Sequence, residues 1–346
     1  MPTIKDVAKQ ANVSVATVSR VLSKADTVSE KNTQNVLDAI EKLNYKPNAL
    51  GRYLRTAHTK TILVVVPDIT NPFFSNVMKG IQSLANQKEY DVLVMDAEHA
   101  HFDSMKCFDM LEQKQVDGLI MLTSRVDQNS LLELSKEHSI VLACEYLEGT
   151  TIPTVSIDNV SAARKMTEYL IDLSYTNIAH ITGPMEAVLG IDRLRGYKQA
   201  LQTKDIPVKT SYIQEGDFSI DSGYNVMLKL LSMEDRPEAV FAANDEMAMG
   251  AVNAAKAFDL RVPEDIAVVG FDDIRMASMF TPQLTTISQP TFEIGQKSMS
   301  LLLDLLNKEP LTQSQFVLDD TLMVRDSCGH SLTSNMDEES PVQQSK

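Results

Sequence analysis

The sequence predicts an α/β protein with a small all-α helix-turn-helix headpiece followed by a larger body of parallel sheets. Two short amphipathic helices separated by a tight turn fit residues 3–22. From Thr61 onward, short apolar strands alternate with helices of about 10 to 15 residues, a pattern typical of parallel sheets covered on both faces. Charge divides the chain in the same way. Residues 1–55 hold nine Lys/Arg and five Asp/Glu, whereas the whole chain of 346 residues carries a net charge of −15.

The headpiece begins with a predicted capping box, in which Thr3 and Asp6 satisfy amide groups at the start of a first helix. Asn12 ends this helix because asparagine tolerates a left-handed turn, and Ser14 can cap a second helix. A third helix follows Ser29. The same spacing also fits other three-helix domains. The residues expected to form the core recur at helical intervals: Ile4, Val7, Ala8, Ala11, Val18, Val21, Leu22, Val36, Ile40 and Leu43.

The body contains two series of predicted strands and helices, of about five strands each, which indicates two similar subdomains. Strands are expected at 61–66, 91–96, 118–122, 140–143, 154–157, 178–182, 212–215, 239–243 and 267–271. Helices are expected near 74–88, 102–114, 128–138, 160–173, 191–203, 220–232 and 245–258. The segments 284–288 and 316–324, with a helix at 292–307 between them, are expected to complete the sheets.

Composition and motifs exclude several classes of protein. The apolar content of 43% supports sizeable cores, and no apolar run approaches the ~18 to 20 residues of a membrane span. No apolar export signal is present, and three cysteines without a close pair fit a reducing compartment, so we expect a cytoplasmic location. Nucleotide-binding, metalloprotease and hydrolase motifs are missing, and His99 and His101 lack a third metal ligand at suitable spacing. We therefore expect a binding protein, with neither a cofactor nor a metal, rather than an enzyme.

Two segments carry a resemblance to a known family. The string DVAKQANVSVATVSRVL at residues 6–22, followed by LNYKPNALGRYL at 43–54, resembles the headpiece of the LacI/GalR family of bacterial transcription repressors. From Thr61 onward the chain also resembles the effector-binding body of that family. The resemblance implies two doubly wound, parallel-sheet subdomains of periplasmic-binding-protein type, with a ligand in the cleft between them.

The resemblance and local sequence signals together give the expected domain boundaries. Pro47 ends the headpiece because proline disfavours helix in the residue before it. The last residues are polar and lack helical periodicity, so we expect them to be disordered. The expected parts are a DNA-binding domain at 1–46, a hinge and linker at 47–60, an effector-binding and dimerisation domain at 61–328, and a disordered tail at 329–346.

Candidate DNA contacts lie on the second helix, whose first residues face base edges in a helix-turn-helix. Val15 and Ala16 can make only apolar contacts there, for example with a thymine methyl group. Arg20 can offer a bidentate fork to guanine, and a phosphate contact is its alternative. Thr17 and Ser19 are expected to contact phosphates or to stabilise the helix. The family resemblance supports base reading by Val15, Ala16 and Arg20.

The resemblance also assigns a role to the segment after the third helix. In the family this segment forms a hinge helix on DNA, and a leucine that matches Leu54 enters the minor groove beside charges that match Arg52 and Arg55. An ordinary linker leucine covered by the body is the alternative. The family usually has alanine where Gly51 stands, and glycine costs about 1 kcal/mol in a helix. We therefore expect a weak hinge, with help from a neighbouring DNA-bound regulator.

Candidate effector contacts follow strands of the body, because open α/β sheets bind ligands at the carboxyl ends of strands. Phe73 and Phe74 follow the first strand and either stack on a ligand ring or belong to the core. Arg193 and Asp272 are the strongest charged candidates, since a hydroxyl-rich ligand favours charged bidentate partners. A buried ion pair between the subdomains is their alternative. The full set implied by family motifs is Phe73, Phe74, Glu145, Arg193, Phe218, Asn244 and Asp272.

These observations predict a homodimeric transcription repressor whose binding to a double-stranded DNA operator is modulated by a small ligand. Two tethered heads gain an effective concentration that one small head lacks. Within the family, the segments PDITNPFF, DGLIML, SIDN and LTTISQP most resemble the cytidine repressor branch, so the expected effector is a nucleoside. A sugar-responsive repressor is the alternative within the family. A solute-binding protein or an enzyme without DNA function is the alternative of another class.

Overall fold

The chain forms two compact units, which are called the headpiece and the body below. Contacts within the computed structural model divide it into Met1–Thr59 and Lys60–Lys346. The division falls inside the linker predicted from the sequence. The structure describes residues 2–22, 27–45, 58–97 and 104–330.

Two predicted segments fall wholly or partly outside the described residues. Gly51 and the rest of the predicted hinge helix lie outside them, as do residues 331–346 of the predicted tail. Gly329 and His330 are placed, and His330 Nδ1 lies 3.2 Å from the Tyr169 hydroxyl. The prediction of disorder from residue 329 was therefore wrong for these two residues, because their neighbourhood packs against the body.

The described part of the headpiece contains three helices around one core: α1 (Ile4–Gln10), α2 (Val15–Leu22) and α3 (Glu30–Lys42). The Asp6 carboxylate accepts a hydrogen bond of 2.8 Å from the Thr3 amide, as in the predicted capping box. Asn12 has a φ of 51°, the left-handed conformation that follows the end of α1. All ten residues predicted to point inward belong to this core or pack against it.

The first subdomain of the body is built on six parallel strands. They are β1 (Thr61–Val66), β2 (Asp91–Asp96), β3 (Gly118–Met121), β4 (Ile140–Ala143), β5 (Thr154–Ile157) and β11 (Gln315–Leu318). Their order across the sheet is β11-β5-β4-β3-β1-β2. The helices of this subdomain are α4 (Pro72–Gln87), α5 (Ser104–Glu112), α6 (Gln128–Ser135) and α11 (Thr291–Leu306). Strand β2 is not buried as predicted, because it forms an edge of the sheet, and Leu93 and Val94 are each 43% exposed.

The second subdomain is built on four parallel strands: β6 (Ile178–Thr182), β7 (Ile213–Glu215), β8 (Ala239–Ala242) and β9 (Ala267–Val269). Their order is β7-β6-β8-β9. Its helices are α7 (Asn159–Asp172), α8 (Val188–Thr203), α9 (Ile220–Leu231) and α10 (Asp245–Ala257). Two further strands, β10 (Thr286–Ser288) and β12 (Thr321–Met323), pair antiparallel. The two series of predicted strands therefore form parallel sheets of six and four strands, and β10 and β12 form a separate pair.

The chain passes between the subdomains at three places in its described part. The crossings follow β5 at Asp158, β10 at Gln289 and β11 at Asp319. The last crossing divides the segment 316–324, predicted as one strand region, into β11 and β12 of different sheets. No described helix is both long and apolar enough to cross a membrane.

Candidate DNA-binding and effector sites

The start of α2 presents an exposed surface on the headpiece. Val15 is 42% exposed, and Ala16 and Arg20 are also exposed, while Val18 on the opposite side is fully buried. Ser14 Oγ accepts a hydrogen bond of 3.1 Å from the Thr17 amide and lies 2.9 Å from the Thr17 hydroxyl. Thr17 thus takes part in capping its own helix. The exposed side of α2 has the residues and the access needed to enter a groove of DNA.

Other predicted DNA contacts have different surroundings. Ser19 is half-buried on α2, and it takes part in interactions within the headpiece. Arg52, Leu54 and Arg55 lie outside the described residues. Their roles stay predictions from the sequence.

In the body, Arg193 on α8 lies at the centre of a buried polar network. Its side chain is enclosed, with only 2% of the residue exposed. The Nε atom donates to Asn159 Oδ1 at 3.0 Å, and Nη1 donates to the Ala243 carbonyl. The Nη2 atom lies 3.4 Å from Asp272 Oδ1. The guanidinium also stacks over the Phe271 ring, 3.7 Å from its centroid.

The Asp272 carboxylate is held from two sides. Besides Arg193, it accepts a hydrogen bond of 2.7 Å from Gln289 Nε2. Burial raises the pKa of Asp272 to about 6, although Arg193 and Gln289 both act to lower it. The backbone has a φ of 106°, an unusual conformation for a residue with a side chain. We call the group Asn159, Arg193, Phe271, Asp272 and Gln289, with the Ala243 carbonyl, the Arg193 network.

The Arg193 network touches two of the three crossings between the subdomains. Asn159 directly follows the first crossing, and Gln289 lies at the second. The ion pair itself does not span the cleft, because Arg193 and Asp272 both belong to the second subdomain. The alternative of an ion pair between subdomains was therefore wrong in that form. The network instead connects the second subdomain to the segments that join both.

Glu145 lies at the carboxyl end of β4, on the first subdomain. It is 5% exposed, and its Oε2 accepts hydrogen bonds of 2.6 and 2.7 Å from the Ser124 amide and hydroxyl. Burial raises the pKa of the neighbouring Cys144 thiol, and the charges of Glu145 and Asp272 add to that effect. The carboxylates of Glu145 and Asp272 therefore both lie close enough to the Cys144 thiol to affect its pKa.

The predicted aromatic contacts differ in access. Phe73 is 7% exposed and belongs to the hydrophobic core, while Phe74 is half-buried and meets it edge-to-face at 5.1 Å. Phe218 is half-buried, and its carbonyl accepts a hydrogen bond of 2.8 Å from Asn244 Nδ2. A Cβ atom at Gly183 would lie 2.1 Å from the Phe218 ring, so only glycine allows this approach. Phe74 and Phe218 retain partly accessible rings.

Sequence reasoning missed two carboxylates at the start of α10. Asp245 is fully buried and accepts hydrogen bonds from the Thr286 hydroxyl at 2.6 Å and the Ile274 amide at 2.9 Å. Burial raises its pKa well above the usual range. Burial and the charges of Asp68 and Asp272 raise the pKa of Glu246 to about 7. The run of polar residues directly after β8 is the signal that would have indicated both.

The body also has an open cavity of about 770 Å³. None of the seven predicted ligand residues lines it, and only Glu145 directly adjoins a lining residue, Tyr146, in the chain. Ser124 both lines the cavity and binds Glu145. The lining residues are Ser104, Ser124, Arg125, Val126, Asp127, Gln128, Tyr146, Leu147, Glu148, Glu186, Val188 and Ile191, and they define what we call the open cavity.

Two contacts cross from the first to the second subdomain at the open cavity. The Tyr146 hydroxyl, after β4, donates to Asp192 Oδ2 on α8 at 2.8 Å. Arg125 Nη1, after β3, lies 4.0 Å from Glu186 Oε1. Because Tyr146 and Arg125 follow strands of one sheet while Asp192 and Glu186 follow a strand of the other, the cavity lies in the cleft between the subdomains.

A headpiece with an exposed recognition helix and a two-subdomain body with a cleft define a ligand-responsive DNA-binding regulator. Comparison with known proteins supports this class. Residues 3–48 match the family described as bacterial regulatory proteins, lacI family. Residues 59–318 match the description periplasmic binding proteins and sugar binding domain of LacI family. The chain therefore belongs to the LacI family, and it is a transcription regulator whose relatives respond to small-molecule effectors.

Individual relatives cover nearly the whole chain. The HTH-type transcriptional repressor CytR of Escherichia coli K12 is 39% identical over 94% of this chain and 96% of its own. The lac repressor dimer bound to operator and the anti-inducer ONPF is 30% identical, with a TM-score of 0.85 and coverage of 94% and 99%. A complex of the transcriptional regulator CelR with cellobiose is 31% identical, with a TM-score of 0.73 and coverage of 94% and 100%.

Proposed function

We propose that α2 of the headpiece reads operator DNA and that a nucleoside bound in the cleft of the body regulates this binding. The observation that carries the DNA assignment is the exposed start of α2. Val15 and Ala16 are accessible for apolar contact with bases, and Arg20 would form a bidentate pair with guanine. The bonds between Thr17 and Ser14 favour a structural role for Thr17 over a phosphate contact.

The hinge belongs to the proposed DNA site on the grounds of the sequence. Leu54 would enter the minor groove, and Arg52 and Arg55 would bind phosphates beside it. Gly51 lowers the helix propensity of this segment. A neighbouring DNA-bound regulator would then strengthen operator binding by holding the repressor in place.

The proposed active form is a homodimer that reads two half-sites. The similar lac repressor was solved as a dimer bound to its operator. Each subdomain of this body carries exposed apolar side chains that a second copy would cover. They include Leu93 and Val94 on the edge strand β2, and Met279, which is 69% exposed, in the second subdomain.

A nucleoside is the lead effector because the cleft combines ring faces with acceptors for hydroxyl groups. Phe74 and Phe218 have partly accessible rings, and the carboxylates of Glu145 and Asp272 can accept hydrogen bonds from a ribose. A sugar is the second candidate. The similar regulator CelR was solved with cellobiose, and sugars also stack on aromatic rings.

Operator titrations of the full-length protein test the DNA assignment. Affinity should fall by orders of magnitude from ~50 to ~200 mM salt, because several phosphates are neutralised by each dimer. Arg20→Ala should lose about 1 to 3 kcal/mol of discrimination between operator and random DNA, since a bidentate base contact is removed.

Lys31→Ala is the matched control, because it removes one positive charge from the exposed surface of α3. It should leave the ratio between operator and random DNA unchanged. A wild-type dimer without operator preference at any salt concentration would refute the repressor function. An Arg20→Ala protein that binds operator and random DNA more weakly by the same factor would assign Arg20 to phosphate binding.

A further inference from the structure

We propose that the open cavity receives an effector without a phosphate group, and that Glu148 and Glu186 are specificity-determining residues that reject its phosphorylated form. This inference rests on the proposed function and adds the chemical class of the ligand. The class is a neutral or cationic molecule with several O–H or N–H donors.

The charge of the cavity wall is the first observation. Among the described lining residues, the charged ones are Arg125, Asp127, Glu148 and Glu186, so three carboxylates accompany one guanidinium. Hydrogen bonds from Ser130 hold the pKa of Asp127 below its usual value. Asp127 is thus ionised at neutral pH. A phosphate dianion in this cavity would meet repulsion from both subdomains.

Arginines near this part of the cleft already have acidic partners, and Arg195 is one of them, with Nη1 3.6 Å from Asp192 Oδ1. Arg125 lies 4.0 Å from Glu186 across the cavity. Three of the five N–H donors of Arg193 are directed to Asn159, Ala243 and Asp272. Its face is covered by Phe271. If Arg193 bound a phosphate, the buried Asp272 carboxylate would lose its charge partner. Leaving a buried charge unpaired is unfavourable.

Helix α8 begins at the cavity, with Val188 in the wall. A helix N-terminus attracts anions, so this is the position where a phosphate would otherwise bind. Glu186 lies two residues before the helix and supplies a carboxylate there. Glu148 lies in the wall on the other subdomain. These two exposed carboxylates therefore oppose the attraction of the helix for an anionic ligand.

One buried acceptor next to the cavity-lining Tyr146 also has no hydrogen-bond donor among the described residues. Asp192 is 3% exposed, and its Oδ2 accepts from Tyr146, which lines the cavity. In the described part of the chain its Oδ1 has no hydrogen-bond donor, with Arg195 Nη1 at 3.6 Å. Buried acceptors are usually satisfied. A ligand hydroxyl or amine that reached Asp192 would supply a donor, which a phosphate dianion itself lacks.

Calorimetry on the full-length protein tests this inference with four matched pairs of compounds. They are cytidine and cytidine 5′-monophosphate, adenosine and adenosine 5′-monophosphate, ribose and ribose 5-phosphate, and glucose and glucose 6-phosphate. At least one neutral member should bind, and its phosphate ester should bind at least ~30-fold more weakly because of carboxylate repulsion. The double variant Glu148→Gln/Glu186→Gln should reduce this ratio to below ~10-fold.

The matched control is Asp259→Asn/Glu264→Gln, which also removes two negative charges from exposed positions. Both residues lie between the end of α10 and the start of β9, at the end of the sheet opposite the cleft. It should leave the ratio unchanged. Tighter binding of any phosphate ester than of its neutral partner, binding by no neutral compound, or an equal response of both double variants would overturn the inference. Operator titrations on the same samples report on the DNA function separately.

Discussion

The Arg193 network and the open cavity lie in one cleft but differ in how their polar groups are satisfied. In the network, Arg193 and Asp272 are almost inaccessible and bond to each other and to crossing residues. At the cavity, Arg125 and Glu186 remain exposed at 38% and 77% of their side chains. Family motifs indicate residues of the buried Arg193 network, whereas a different set of residues lines the open cavity.

This difference has an energetic consequence. A partner removed from a buried ion pair leaves an uncompensated charge, which costs about 3 to 5 kcal/mol. An exposed pair contributes about 0 to 1 kcal/mol. The network should therefore control the stability of the body, and the cavity should control the choice of ligand with little effect on folding.

The largest expected effect follows from Arg193→Ala, which should lower the free energy of unfolding of the body by about 3 to 5 kcal/mol because Asp272 remains buried without its charge partner. Chemical denaturation measures this change. Arg195→Ala, on the same helix with a side chain 49% exposed, is the control and should cost less than about 1 kcal/mol. A stable Arg193→Ala protein that loses ~2 to 5 kcal/mol of effector affinity would instead assign Arg193 to ligand binding.

A smaller effect is expected from Tyr146→Phe, which removes the hydrogen bond to Asp192 between the subdomains. Leaving the buried carboxylate oxygen unsatisfied should cost about 1 to 3 kcal/mol of stability. Asp192→Asn keeps an oxygen that can accept from Tyr146 and should cost less. If both variants unfold with the wild-type midpoint, the two subdomains do not depend on this contact.

The smallest effect concerns Glu246, whose pKa is raised to about 7 by burial and by Asp68 and Asp272. A raised carboxyl pKa favours the protonated folded state. Its stabilising contribution is complete below about pH 4.5, its usual pKa, and is lost as pH rises through about 7. At pH 8, Glu246→Gln should be more stable than wild type by roughly 1 kcal/mol, after allowance for partial exposure.

Denaturation curves at pH 5 and pH 8 test the assignment of Glu246. The advantage of Glu246→Gln should shrink toward the lower pH, because wild-type Glu246 is then protonated. A difference between the two proteins that is the same at both pH values would show that Glu246 does not titrate in this range.

The headpiece was predicted most completely because its signals are local. Thr3, Asp6, Asn12 and Ser14 act on amides or turns within a few residues, and helical spacing alone places Val18 in the core. Local capping and hydrophobic periodicity need no knowledge of distant segments. The alternation of strands and helices in the body was predictable for the same reason.

Errors in the body arose where distant segments decide the environment. Leu93 and Val94 have a typical buried-strand sequence, but β2 lies at an edge of its sheet. Phe73 and Phe74 are neighbours of the same type, yet only Phe73 belongs to the core. Which side of a strand or helix is covered depends on elements far away in the chain, so residue type could not decide these cases.

The sequence by itself determined the two-part organisation, the helices of the headpiece, the strand and helix alternation of the body, and the family. These properties depend on short-range periodicity and on motif strings. Only the tertiary structure decided that Arg193 binds Asn159 and Asp272, and that Tyr146 meets Asp192 across the cleft. Such contacts join residues tens of positions apart, and their geometry depends on how the two sheets are connected by three crossings. Periodicity carries no information about that connection.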